Sequence, residues 1–150
     1  MAALRTVVVV GASLAGLRAV EALRARGFDG RLVWVGGEPH APYDRPPLSK
    51  EILRGEWEPE RIALARDGVE AFGAELRFGV RAESLDVAAR RVRLAGGEEL
   101  AFDGLVIATG TAARRLPGQP ELPRGSRWWA AASSVPRWRR AAGSAGSRSR

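Results

Sequence analysis

Residues 5–10, RTVVVV, form a short run, β-branched from Thr6 on, that ends at Gly11. Consecutive apolar positions bury both faces of a strand, as in a parallel sheet covered on either side. From Leu14 to Arg26 apolar residues recur at 14, 17, 20 and 23, the spacing of one helix face. Gly27 and Gly30 end that helix, and RLVWVG at 31–36 predicts a second strand. Strand, glycine turn, helix and strand within about thirty residues make a βαβ unit.

The segment APYDRPPLSKEILRG (41–55) is dominated by prolines. Pro46 and Pro47 predict no helix before Leu48, with Ser49 capping a short helix that Gly55 closes. A further helix is expected around Val69 to Gly73. From residue 75 the runs become strand-like: ELRFG, RAESLDV, RRVRLAGG and EELAF, with Gly96-Gly97 as a hairpin turn signal. FDGLVIATG (102–110) is another apolar strand, running into Thr109 and Gly110, and beyond Pro117 the patterning dissolves.

Composition narrows this picture. A length of 150 residues suits about one domain, and a hydrophobic content of 45% is ordinary for a globular chain. The absence of cysteine excludes a disulfide framework, a thiolate metal site and a redox dithiol. The N-terminal apolar run is interrupted by Gly11, Ser13 and Gly16, and charge resumes at Arg18 and Glu21. No run reaches membrane-spanning length, so a cytoplasmic protein with no membrane partner is expected. The chain carries 24 basic and 17 acidic residues, but seven arginines lie within 124–150, a stretch with no Lys and no acid. The body before it is neutral. A terminal charge run without periodicity specifies little, so no specific nucleic acid is expected as partner.

The chemistry concentrates at Gly11-Ala-Ser13-Leu14-Ala15-Gly16. A βα turn of this kind needs Gly at its first position for the tight turn and at its last for close helix–strand packing. Its middle position must admit a pyrophosphate, and Ser13 there is small and can donate a hydrogen bond. The following helix N-terminus offers unpaired N–H groups and partial positive charge to phosphates. An acidic partner for ribose hydroxyls is expected just past the second strand, where Glu38 stands. His40, the only histidine, sits in a proline-flanked loop without a second ligand nearby and reads as a turn residue.

VVVVGASLAG, VGGEPHAPYDRPPLSKEIL and FDGLVIATG followed by RRLPG make the chain resemble the ferredoxin reductase-like flavoproteins. The resemblance covers roughly residues 5–118, and PYDRPPLSK is its most diagnostic element. It implies FAD at the first βαβ unit, with NAD(P)H as electron donor and a ferredoxin-type iron–sulfur protein as acceptor in full-length relatives. By resemblance, Gly11 through Gly16 would hold the pyrophosphate and Glu38 the adenosine ribose. Arg45, Pro47 and Lys50 would line the flavin side, and the Ala82 main chain would meet the adenine. Thr109 and Gly110 would lie against the cofactor. A lysine near the flavin can stabilise the anionic charge of the reduced ring. No catalytic residue and no metal ligand is assigned. The expected fold is α/β: an incomplete Rossmann-like FAD-binding domain with a parallel βαβ core, and a three-stranded antiparallel insertion around residues 75–102. Residues 1–123 form that domain, and 124–150 an unstructured basic tail.

The resemblance also implies a second glycine-rich unit, for NAD(P)H, and a later return of the chain to the FAD domain. Neither is recognisable in the 150 residues. The tail does, however, contain a hidden form of the first. Trp has only the codon TGG, so Trp128-Trp129 read from third bases must give GTG, valine, and Trp129-Ala130 must give GGC, glycine. With permissible third bases, Arg127 to Arg140 become V-V-G-G-G-F-I-G-A-E-V-A-A, a strand running into G-x-G-x-x-G. The tail is therefore expected to be out of frame and to bury none of Trp128, Trp129 or Trp138. The isolated chain is expected to bind FAD weakly, to leave apolar surface beside residues 104–108 exposed, and to show no NAD(P)H-dependent turnover. The alternative is a non-catalytic flavin- or nucleotide-binding module or interaction protein, which would retain FAD through gel filtration without its reduction by NADH.

Overall fold

The computed structural model describes residues 4–111. These fall into two compact units, one built from residues 4–44 and 63–111 and the other from Arg45–Ile62. The boundary expected at residue 123 and the unpacked tail expected for 124–150 lie outside the described residues.

The larger unit has a four-stranded parallel sheet. Strand β1 (Thr6–Val10) leads through Gly11 into helix α1 (Leu14–Ala25), and the chain returns in β2 (Arg31–Gly36) beside β1. Strands β3 (Glu75–Phe78) and β7 (Gly104–Ile107) flank this pair, giving the order β3-β2-β1-β7. Strands β4 (Ala82–Asp86), β5 (Arg91–Leu94) and β6 (Glu99–Ala101) form a separate antiparallel sheet. Gly96 and Gly97, both at positive φ, turn β5 into β6 as their pairing predicts.

The consecutive apolar runs follow from what covers the parallel sheet. Val7, Val9, Leu32 and Trp34 face α1, where they cluster with Leu17 and Val20. The intervening Val8, Val10, Val33 and Val35 face the antiparallel sheet and cluster with Val92, Leu94 and Leu100. Both faces of β1 and β2 are thus dry, and neither strand can alternate. Each fully buried Val or Leu contributes about 1.5–3 kcal/mol relative to exposure.

Three details differ from expectation. The run at 75–79 does not belong to the insertion: Glu75–Phe78 pairs in parallel with Val33–Gly36, so the antiparallel insertion spans only 82–101. The alternation of a strand shows which faces are buried but not which sheet it joins. Phe78 then packs edge-on against Trp34, with ring centroids 5.4 Å apart. In the smaller unit, a 3₁₀ turn spans Pro46–Ser49, with the prolines opening it and Ser49 inside it. Proline is tolerated there because the first-turn N–H groups have no intrahelical acceptor. Gly55 closes the segment as expected, at φ +74° with its N–H donating to Ile52 O. The helix expected near Val69 is a 3₁₀ turn at Glu70–Phe72, ended by left-handed Gly73.

Side chains pin the ends of the elements. The guanidinium of Arg24, in the last turn of α1, donates to the carbonyls of Phe28, Gly30, Phe72 and Gly73. Asp103 accepts the N–H groups of Arg5 and Thr6 at 3.0 and 2.9 Å, holding the entry to β1. Those two backbone donors keep its carboxyl below the usual aspartate range. Arg31 and Glu75 make a two-pronged ion pair between β2 and β3, and its hydrogen bond lowers the Glu75 pKa.

Candidate nucleotide-binding site

Because β1, β2, β3 and β7 are parallel, their carboxyl ends share one edge of the sheet. The chain leaves β1 toward β2 through α1, whereas β7 lies on the other side of β1. This reversal is the switch point at which open α/β sheets bind ligands.

Gly11 stands at that point with φ +121°. A Cβ there would meet Ala108 O at 2.1 Å, so the turn and the end of β7 approach backbone to backbone. The Ala108 N–H donates to Val10 O at 2.7 Å, continuing the β1–β7 ladder to its last residue. Gly16, in the first turn of α1, is equally constrained: a Cβ would lie 1.8 Å from Gly11 O. First and last glycines therefore serve the tight turn and the close helix–strand approach that the motif requires.

Ser13 caps α1 with extended backbone angles, but its side chain makes no capping hydrogen bond. The capping arrangement that commonly satisfies a first-turn N–H is absent at this helix. Leu14 and Ala15 begin the helix and are exposed, and Leu14 does not share the burial of Leu17 and Val20. Its place at the N-terminus, beside the glycine turn, explains that departure from the helical stripe.

Glu38 lies two residues beyond β2 and is half-buried. Its carboxylate accepts the Tyr43 hydroxyl at 2.7 Å, and its carbonyl accepts the Gly79 N–H at 2.9 Å. Val80 N–H donates to Gly36 O, so the loops after β2 and β3 are tied together. Glu38 is thus a fixed acceptor at the sheet edge, and a carboxylate has room for several donors. Ala82 opens β4, four residues past the end of β3, where the ladder with β5 is irregular. Thr109 and Gly110 follow β7, both exposed, with Gly110 at φ +70°. His40 is half-buried in the bend that follows Glu38.

Arg45, Pro47 and Lys50 belong to the smaller unit. Arg45 precedes the 3₁₀ turn, Pro47 is buried within it, and Lys50 follows it as an exposed residue. The Pro47 carbonyl accepts the N–H groups of Lys50 and Ile52, which fixes the Lys50 backbone.

Two residues of the site were not singled out by sequence. Trp34 donates its indole N–H to Gly11 O at 2.9 Å, and Tyr43 orients Glu38. The signal for Trp34 was available: a buried indole needs an acceptor, and an apolar strand offers none on its own face. A shallow concavity of about 530 Å³ lies elsewhere, lined by Ser84, Asp86, Arg91, Arg93 and Glu99. Glu99 there accepts hydrogen bonds from both Arg91 and Arg93, which pair its charge.

The glycine turn, the acceptor at 38 and the absence of Cβ atoms at both contact points fit the pyrophosphate and ribose of a dinucleotide. Comparison with known proteins bears on the family and the fold. A family model described as pyridine nucleotide-disulphide oxidoreductase matches residues 5–138. The ferredoxin–NAD(+) reductase component of the biphenyl dioxygenase system of Paraburkholderia xenovorans (strain LB400) is 42% identical over 112 residues, 74% of this chain and 27% of that protein. The corresponding subunit of the benzene 1,2-dioxygenase system of Pseudomonas putida is 41% identical over 120 residues, 78% and 29% of the two chains. The covalent putidaredoxin reductase–putidaredoxin complex matches with a TM-score of 0.69 at 36% identity, over 75% of this chain and 27% of that one. The chain therefore spans under a third of the length of these relatives. By sequence and by fold it belongs to the pyridine nucleotide-disulphide oxidoreductase family, whose members are FAD-dependent flavoproteins.

Proposed function

We propose that this chain is the FAD-binding portion of a reductase that passes electrons from NAD(P)H to a ferredoxin-type iron–sulfur protein. The observation that carries the reading is the backbone contact at the switch point. Gly11 and Gly16 have no room for a side chain, and Ser13 stands at the N-cap of α1 without a side-chain capping hydrogen bond. Gly11, Ser13, Leu14, Ala15 and Gly16 would hold the pyrophosphate, Glu38 the ribose, Ala82 the adenine, and Thr109 and Gly110 the nearby cofactor edge. Arg45, Pro47 and Lys50 would serve the flavin end, Lys50 by its positive charge. Bound FAD supplies hydride acceptance and release of single electrons. The chain's own contribution is to bind and orient it. No described helix is long and apolar enough to cross a membrane, and the proposal includes a cytoplasmic location.

The test is titration of the purified 150-residue chain with FAD, followed by flavin fluorescence, with Gly11→Ala in parallel. Saturable binding is expected for the parent, weaker than in a full-length relative, and none for the variant. NADH should not reduce the flavin faster than it reduces free FAD. Lack of saturable FAD binding would defeat the reading, and rapid NADH-dependent reduction would locate a nicotinamide site within these 150 residues.

A further inference from the structure

The run RLVWVG places an indole beside the turn from β1 into α1. Trp34 is fully buried, with Phe72 and Phe78 edge-on at 6.3 and 5.4 Å. Packing alone would be served by a leucine or phenylalanine, neither of which needs a hydrogen-bond acceptor. The Trp34 indole N–H instead donates to Gly11 O at 2.9 Å, while the Gly11 N–H donates to Val35 O at 2.8 Å. Strand β2 therefore holds both peptide groups that flank Gly11. Gly16 closes the slot: a Cβ there would lie 1.8 Å from the same carbonyl and 3.2 Å from the Trp34 nitrogen.

In a planar trans peptide the C=O and the following N–H point in opposite directions. A Gly11 carbonyl held inward on the indole turns the Ala12 N–H outward, away from the helix–sheet layer. We propose that Trp34 is a positioning residue for the cofactor pyrophosphate, setting the Gly11–Ala12 peptide so that the Ala12 amide meets a phosphate oxygen. The inference rests on the FAD-binding reading and adds the route by which the turn is aimed. The phosphate, the Ala12 amide, the Gly11 carbonyl and the indole then form one hydrogen-bonded chain, in which each bond polarises the next. The indole proton should consequently report on occupancy of the phosphate site.

The experiment uses the ¹⁵N-labelled 150-residue chain titrated with ADP, FAD and adenosine. The Trp34 indole resonance, assigned by its loss in Trp34→Phe, is expected to move downfield with ADP and FAD and to stay in place with adenosine. In Trp34→Phe, ADP affinity should fall about tenfold or more, the scale of one weakened charge-assisted bond. Adenosine affinity should change little. A merely structural role would weaken both ligands alike, so an unchanged ADP-to-adenosine affinity ratio would overturn the proposal. An indole resonance that stays still while ADP saturates the parent chain would overturn it as well, and that measurement suffices if the variant does not fold. Binding of ADP and FAD with a silent indole removes this inference alone. Binding of neither removes the FAD reading with it.

Discussion

A Gly16→Ala substitution sets two opposing effects against each other. Alanine in a helix interior is favoured over glycine by about 0.8–1.0 kcal/mol, so propensity alone predicts stabilisation. The new methyl, however, would lie 1.8 Å from Gly11 O and 2.9 Å from Gly11 C, both backbone atoms that cannot swing aside. Relief to a tolerable contact of roughly 3 Å needs α1 and the turn to part by about 1.2 Å, an overpacking that costs about 1–3 kcal/mol. The same movement strains the bond from Trp34 to Gly11 O, and a buried carbonyl left unsatisfied costs about 1–3 kcal/mol more. The clash should win, for a net destabilisation of about 1–5 kcal/mol. With a urea m-value near 2 kcal/mol/M, the unfolding midpoint should drop by roughly 0.5–2.5 M at unchanged m. A variant as stable as the parent, or more so, would mean that the helix can back away freely, and the argument for an obligatory close approach would be refuted.

Asp103→Ala should destabilise the chain at neutral pH by freeing the Arg5 and Thr6 amides. The Asp103 pKa is lowered in the folded state, so its contribution is full above the ordinary aspartate value and lost as pH falls through the folded one. Urea midpoints of variant and parent should therefore converge in strong acid, and a gap independent of pH would exclude the carboxylate as its source. Arg24→Met removes the donor to four carbonyls and should cost about 2–4 kcal/mol, less than four hydrogen bonds to a charged group at about 1.5–3 kcal/mol each because Arg24 is only half-buried and water can reach the freed carbonyls. Hydrogen exchange should speed first around residues 28–30 and 70–73, and uniform loss of protection would argue against a local clamp. Sequencing the coding DNA across residues 120–150 should reveal the G-x-G-x-x-G unit in the shifted frame; third bases incompatible with it would end the expectation that 124–150 is out of frame. Deleting 124–150, with its seven arginines, should abolish salt-dependent retention on a polyanion column.

The sequence by itself determined the local chemistry of this fold. The apolar runs within 5–10 and 31–36 announced strands covered on both faces, and the structure puts α1 on one face and the antiparallel sheet on the other. Gly11 and Gly16 marked the turn because the positive φ of the first and the close approach of the second to the Gly11 carbonyl are local demands. Gly96-Gly97 fixed a hairpin for the same reason. Tertiary structure decided the partners. The strand at 75–78 is as strand-like as its successors, yet it closes onto β2 and not onto the insertion. Trp34 reads in sequence as one more apolar strand residue, and only folding brings its N–H to a carbonyl 23 positions earlier. Arg24 reads as a solvated helix charge, until the loops at 28–30 and 72–73 wrap around it. Periodicity records how much of a residue is buried, because burial leaves a mark on composition. It carries no record of which distant group supplies a hydrogen bond, because that is set by how the layers close on one another.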